Sequence, residues 1–339
     1  LMIRRPPRST LDRSSAAADV YKRQIDIYTH IFPGNFFEQM RKVAPRLENI
    51  GKRMQAVVPV HNLDERFRLM DAFGEYCQLI SLPNPPLEDI MDAETGTQLA
   101  IVANDAMATL CTQHPDRFIG FAAALSMLDM ESAMKELHRS VHDLGARGVQ
   151  IFTNVAGEPL DNPKFLPVFD AMAEYDLPIW MHPARGAEVT DYRKEERGRY
   201  EMWWCFGWPY ETSVAMTRLV YSGLFDRHPK LKIITHHMGG MIPYFDGRVG
   251  PGMDCLGART TDEDYSKIFP ALKKPHIEYF KNFYADTAMF GASLGIECGM
   301  KFFGIDHTVF STDFPFAPTA ETIQAIDGLA LEKNDLQKL

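Results

Sequence analysis

Residues 148–182 read GVQIFTNVAGEPLDNPKFLPVFDAMAEYDLPIWMH. The first five residues, GVQIF, are a short apolar run. Residues 164–175 follow with apolar side chains at helical spacing, and residues 177–182 (LPIWMH) are a second apolar run ending in His182. Runs that are nearly continuous in apolar residues, rather than alternating polar and apolar, are those expected of strands buried on both faces. A strand, a helix and a second strand within 35 residues make a βαβ unit, and such a crossover joins parallel strands.

The same alternation extends in both directions. Upstream lie 25–30 (IDIYTH), 76–82 (YCQLISL) and 118–125 (FIGFAAAL); downstream lie 231–237 (LKIITHH), 282–287 (NFYADT) and 308–313 (TVFSTD), which makes eight runs in all. Helical patterns separate them at 92–114, at 130–144 with Met134, Leu137, Val141 and Leu144 on one face, and at 211–224. Eight β/α alternations predict one α/β domain, a (β/α)8 TIM barrel. Length alone, at about 150 residues per domain, suggests two domains for 339 residues. No internal repeat, low-complexity tract or interdomain linker divides the chain. Long connections at 32–63, 183–210 and 250–279 read as insertions into a single barrel.

Charge narrows the partners. Lys and Arg number 36 against 45 Asp and Glu, a net charge of −9, which argues against a protein that binds nucleic acid through basic surface. Residues 1–24 run against this trend with six basic and two acidic residues. They read as a translated adapter sequence, a non-native and disordered leader, rather than as a transit peptide. The remaining 315 residues carry 30 basic and 43 acidic groups, a net of −13. At the other end, 329–339 (LALEKNDLQKL) reads as a charged helix that stops mid-pattern, so the 25–339 domain is expected to be truncated there. No run of 18 apolar residues occurs, so no bilayer-spanning helix is expected. The five cysteines are odd in number and form no CxxC pair, which fits reduced thiols and a cytoplasmic setting.

In such a barrel the chemistry sits at the C-terminal ends of the strands. The first run ends in His30 with Tyr28 two residues before it, on the same face of a strand. The later runs end in His182, in His236 and His237, in Asp286 and Thr287, and in Asp313. Imidazoles and a carboxylate converging from separate strands suit a divalent ion such as Zn²⁺ or Mn²⁺. A capped or solvated strand end is an equal reading for any one of them, and a weaker one for the set. Asn84, in the Asn84-Pro85-Pro86 loop after the second run, is placed to contact substrate or simply to make a turn. Arg185 and Arg248 are candidates for gripping a carboxylate, with surface ion pairs as the alternative. Trp203, Trp204, Phe206 and Trp208 either sandwich a planar substrate or form a lid core or subunit contact. The other histidines lie away from the strand ends and read as structural or solvated.

IDIYTHIFP at 25–33, WMHPAR at 180–185, THHMGGMIPYFDGR at 235–248 and FSTDFPF at 310–316, in that order, resemble the motif series of the amidohydrolase superfamily. The resemblance covers 25–339 and is nearest to the amidohydrolase 2 branch, which includes aminocarboxymuconate-semialdehyde, γ-resorcylate and 5-carboxyvanillate decarboxylases. It implies one divalent metal held by His30, His182 and Asp313, with Tyr28 standing where the family's first ligand is His or Glu. It also implies a catalytic His237, with Asp313 sharing the chemistry and His236 turned the other way. The implied activity is metal-dependent, non-oxidative decarboxylation of an aromatic or unsaturated carboxylic acid. Hydrolysis of a lactone, ester or amide on the same scaffold is the first alternative. A metal-free binding barrel, suggested by Tyr28, is the second. The partners implied are a small carboxylic acid and a second copy of the chain in a homodimer.

Overall fold

The computed structural model describes residues 24–44, 51–259 and 263–339. Eight parallel strands follow one another around a barrel: β1 Gln24–His30, β2 Tyr76–Ser81, β3 Phe118–Ala124, β4 Gly148–Phe152, β5 Ile179–His182, β6 Ile233–Thr235, β7 Tyr284–Asp286 and β8 Thr308–Val309. All eight coincide with the apolar runs of the sequence. The barrel is nearly closed, and the segment just after β8 bridges the gap to β1: the Ile27 N–H donates to the Phe310 carbonyl at 3.1 Å and the His30 N–H to the Phe314 carbonyl at 2.7 Å. Gln24, assigned to the leader by composition, is the first residue of β1 and donates its N–H to the Glu75 carbonyl. The rest of the leader lies outside the described residues.

Helices cover the outside of the barrel. Ala93–Gln113 and Met130–His142 are capped by Asp92 and Asp129, whose carboxylates accept first-turn N–H groups, satisfying donors that have no partner within the helix. Between helices and barrel lies the larger apolar core, with Phe118, Phe121, Phe165, Phe169 and Phe225 among its buried residues. The helix after β5 runs Gly207–Tyr221, starting before the predicted 211 because Pro209 falls in its first turn, where a missing N–H costs nothing. A small hairpin, Asn154–Val155 with Glu158–Pro159, follows β4; its strands are too short to leave a periodic signal. The C-terminal segment forms the helix Lys333–Lys338.

A second, smaller core fills the inside of the barrel. Tyr28, Leu79, Ala122, Trp180 and Ile234, one each from β1, β2, β3, β5 and β6, pack together there, and the Trp180 indole N–H donates to the Ile27 carbonyl at 2.9 Å. This apolar layer is a floor. Strand register sets the next layer: His30 pairs with Ser81, and Phe152 pairs with His182. Polar strand ends therefore reach one rim together.

Candidate metal and active site

Three of the residues on β1, Asp26, Thr29 and His30, are tied down by buried polar contacts. Arg66, fully buried, donates to the His30 carbonyl at 2.8 Å, to Gln78 Oε1 at 2.8 Å and to Thr29 Oγ1 at 3.2 Å. Asp26 accepts the Tyr76 and Thr312 hydroxyls, each at 2.5 Å, and so joins β1, β2 and the segment after β8. Burial, resisted in part by these hydrogen bonds, pushes Asp26 up to about 6.

Above the floor, His30, His182, His236 and Asp313 converge. His30 Nδ1 faces Ser81 Oγ at 3.2 Å, and that hydroxyl donates to the Thr29 carbonyl at 3.1 Å. His30 Nδ1 is therefore the donor and its Nε2 keeps a lone pair. His182 Nδ1 lies 2.8 Å from the Pro183 carbonyl, which only accepts, so its Nε2 is likewise free to coordinate. His236 Nδ1 is held by the Asp286 carboxylate. His30 Nε2 stands 3.2 Å from Asp313 Oδ1 and His236 Nε2 stands 3.5 Å from the same oxygen. Ligand atoms of His30, His182 and His236 all lie within 4.8 Å of one another, as do those of His236, His237 and Asp313.

The charge states of His30, His182 and Asp313 suit a cation. Burial lowers His30, and burial followed by the neighbouring histidines takes His182 well below its ordinary value, so both are neutral, as metal ligands must be. Burial acts to raise Asp313, but His236, His237 and His30 outweigh it and hold the group a carboxylate. Burial likewise opposes protonation of His236, yet Asp286 and Asp313 carry it up to about 10 without a metal. Three buried polar atoms here, Tyr28 Oη, His30 Nε2 and His236 Nε2, lack a hydrogen-bond partner. Buried polar atoms are normally satisfied, and a divalent ion among them would satisfy those that ligate it. The donor set fits such an ion.

Over this cluster opens a cavity of about 180 Å³, lined by His30, Asn84, His182, His237 and Asp313 with Trp203, Trp204, Trp208, Phe290, Phe316 and Arg53. A cavity of ~150 Å³ holds one benzene, so the space suits a single aromatic ring. The Trp208 ring lies nearly parallel to His237, their centroids 6.1 Å apart, and Trp204 faces Phe290. Asn84 donates to the Pro183 carbonyl at 3.2 Å, fixing the loop that bears His182 while lining the cavity.

Eight of the residues singled out in the sequence, His30, Asn84, His182, Trp203, Trp204, Trp208, His237 and Asp313, thus meet at one cavity. Tyr28 lies beneath it. Arg185 and Arg248 do not join them. Arg185 pairs with Glu211 at 2.8 Å and lines the adjoining cleft, while Arg248 sits over the Phe245 ring. Standing three residues after His182 does not place the long Arg185 side chain in the same cavity. The cation that does line the cavity is Arg53, held between the Trp204 and Phe316 rings at 5.4 and 5.3 Å. It comes from the insertion after β1, where no local signal distinguishes it. His236 also departs from expectation, since it points into the cluster and not away from it.

An amidohydrolase family model matches residues 25–339. The chain belongs to the amidohydrolase family. Among the family's characterised members, the γ-resorcylate decarboxylase of Rhizobium radiobacter is 34% identical over 261 residues, covering 75% of this chain and 76% of that one. The amidohydrolase barrel described above superimposes on 2,6-dihydroxybenzoate decarboxylase in complex with 2,6-dihydroxybenzoate with a TM-score of 0.76 at 27% identity, covering 93% and 95% of the two chains. It also superimposes on a dihydroxybenzoic acid decarboxylase from Polaromonas with bound manganese and the inhibitor 2-nitroresorcinol, with a TM-score of 0.74 at 27% identity and 93% coverage of each.

Proposed function

We propose that the protein is a metal-dependent, non-oxidative decarboxylase of a hydroxylated benzoic acid. The observation that carries this reading is the cluster of imidazoles and one carboxylate opening directly into a ring-sized aromatic cavity. The relatives, which are decarboxylases of dihydroxybenzoic acids, support it. Of the expected ligands, His30, His182 and Asp313 would hold the ion, with manganese the first choice from the related structure. A divalent ion there supplies positive charge that offsets the anionic oxygens of the bound acid.

The residues of the chain do the rest. Trp204, Trp208, Phe290 and Phe316 enclose the ring and exclude water. Arg53, the cation on the cavity wall, balances the substrate's negative charge; a net charge of −13 for residues 25–339 makes such local cations necessary. His237 stands on the same wall with its Nε2 3.8 Å from Asp313 Oδ2. Burial, and then the neighbouring His236, lower His237 below its ordinary value, so it is neutral at working pH and takes up a proton before passing it on. The ring carbon bearing the carboxylate receives that proton; the bond to the carboxylate then breaks, its electron pair restores the aromatic ring, and CO2 leaves. One proton is consumed per turnover.

Among the described residues no helix is long and apolar enough to cross a membrane. The five cysteines, none of them in a disulfide, support a cytoplasmic setting, and exposed Phe206, Tyr210 and Tyr244 support a homodimer.

The test is CO2 release from a panel of hydroxybenzoates by manganese-loaded protein, alongside lactones and esters as hydrolase substrates. Release from a 2,6-dihydroxybenzoate-type acid, abolished by chelator and restored by manganese, is the expected result. Ester or lactone turnover with no CO2 from any acid would replace the reading by hydrolysis. Activity indifferent to chelator would remove the metal from it.

A further inference from the structure

We infer that His236 supplies the metal ligand that β1 lacks at Tyr28, so that the ion is held by His30, His182, His236 and Asp313, while His237 stays uncoordinated. This rests on the metal-dependent reading above. The three histidines share one design: each has its Nδ1 engaged by a fixed partner, the Ser81 hydroxyl, the Pro183 carbonyl and the Asp286 carboxylate. A second partner of that kind fixes the tautomer and aims the other nitrogen at a metal. Histidine bound through Nδ1 to a buried carboxylate is the strongest form of the arrangement, and both His236 and Asp286 are fully buried.

The distances agree. In a tetrahedral site with bonds of 2.0–2.2 Å, ligand atoms lie about 3.3–3.6 Å apart. His236 Nε2 and His30 Nε2 are 3.5 and 3.2 Å from Asp313 Oδ1, and both nitrogens lack a hydrogen-bond partner. Tyr28 belongs to a different layer. Its ring is part of the apolar floor with Leu79, Ala122, Trp180 and Ile234, and it supports His236 from below at a centroid distance of 4.1 Å. His237 approaches the other oxygen of Asp313, at 3.8 Å, and lines the open cavity beside Trp208. That leaves it free to handle protons.

The test reads coordination and not turnover, so it stands apart from the identity of the reaction. Pulsed EPR of the manganese-loaded wild-type protein is expected to count three histidine nitrogens; two, or four, would overturn the assignment. Manganese titration followed by the EPR signal of the free ion gives affinities for four variants. Asp286→Asn is expected to weaken binding about 10- to 100-fold, and His236→Gln by at least as much. Tyr28→Phe and His237→Gln are expected to keep the wild-type affinity. Retention by His236→Gln, or loss by Tyr28→Phe in a protein whose circular dichroism matches wild type, would refute the inference. Should His236→Gln fail to fold, the nitrogen count on the wild-type protein decides alone.

Discussion

Glu88 offers a stability prediction whose size follows from its surroundings. It lies in the short helix Leu87–Ile90 after β2, with Oε1 accepting the Met127 N–H at 2.9 Å and Oε2 buried with no hydrogen-bond partner. The contact ties the loop after β2 to the loop after β3. Burial, the dominant influence, pushes Glu88 from 4.5 up to about 7. The folded protein therefore binds this proton more tightly than the unfolded chain does. Stability is greatest below the unfolded value and falls as pH rises toward 7. A shift from 4.5 to about 7 corresponds to about 3 kcal/mol at 1.36 kcal/mol per unit, of which about 2.5 kcal/mol falls between about pH 5 and about pH 8. Glu88→Gln keeps the acceptor for Met127 and removes the charge. Burying an amide left without a partner costs about 1–3 kcal/mol at every pH, so the informative quantity is the change with pH. Urea unfolding of wild type and Glu88→Gln at the two pH values is expected to show the variant gaining about 2.5 kcal/mol on wild type from acid to base. A difference between the proteins that does not vary with pH would refute the reasoning.

Three further outcomes are expected. His237→Gln should lower kcat by about 10²–10⁴-fold, the usual contribution of a positioned proton-transfer group, while metal content by elemental analysis stays at wild-type level. Arg53→Met should raise KM for a carboxylic acid substrate far more than it lowers kcat, because the side chain lines the cavity wall between Trp204 and Phe316; steady-state kinetics separate the two. Arg66→Met leaves the His30 carbonyl, Gln78 Oε1 and Thr29 Oγ1 without their donor. At about 1–3 kcal/mol for a buried group left unsatisfied, urea unfolding should show a loss of at least about 2 kcal/mol.

The strands were legible because each is a short apolar run bounded by polar residues, and parallel strands buried on both faces have no other way to read. The strand-end candidates followed from the rule that the chemistry of a barrel collects at one rim. That reasoning reaches backbone positions. It reaches side-chain directions only while the strand lasts. Strand alternation sends neighbours to opposite faces, which turns His236 away if His237 faces the cavity. In the structure β6 stops at Thr235, and His237 adopts a left-handed φ of 53°. The alternation is broken there and both imidazoles enter the site. Asp313, with φ of 61°, turns in the same way beyond β8.

The sequence by itself thus determined the barrel, and it named His30, His182, His237 and Asp313, which line one cavity in the structure. Tertiary structure alone decided the partners of those residues. Asp286 reaches His236 across 50 residues of chain, and Arg66 reaches His30 across 36. Arg53 enters the cavity from an insertion, while Arg185, close to His182 in sequence, turns to Glu211. Periodicity records which face of an element is buried, because burial acts on every turn or pleat of that element. A contact between two distant side chains leaves no period, so it appears only when the chain has closed on itself.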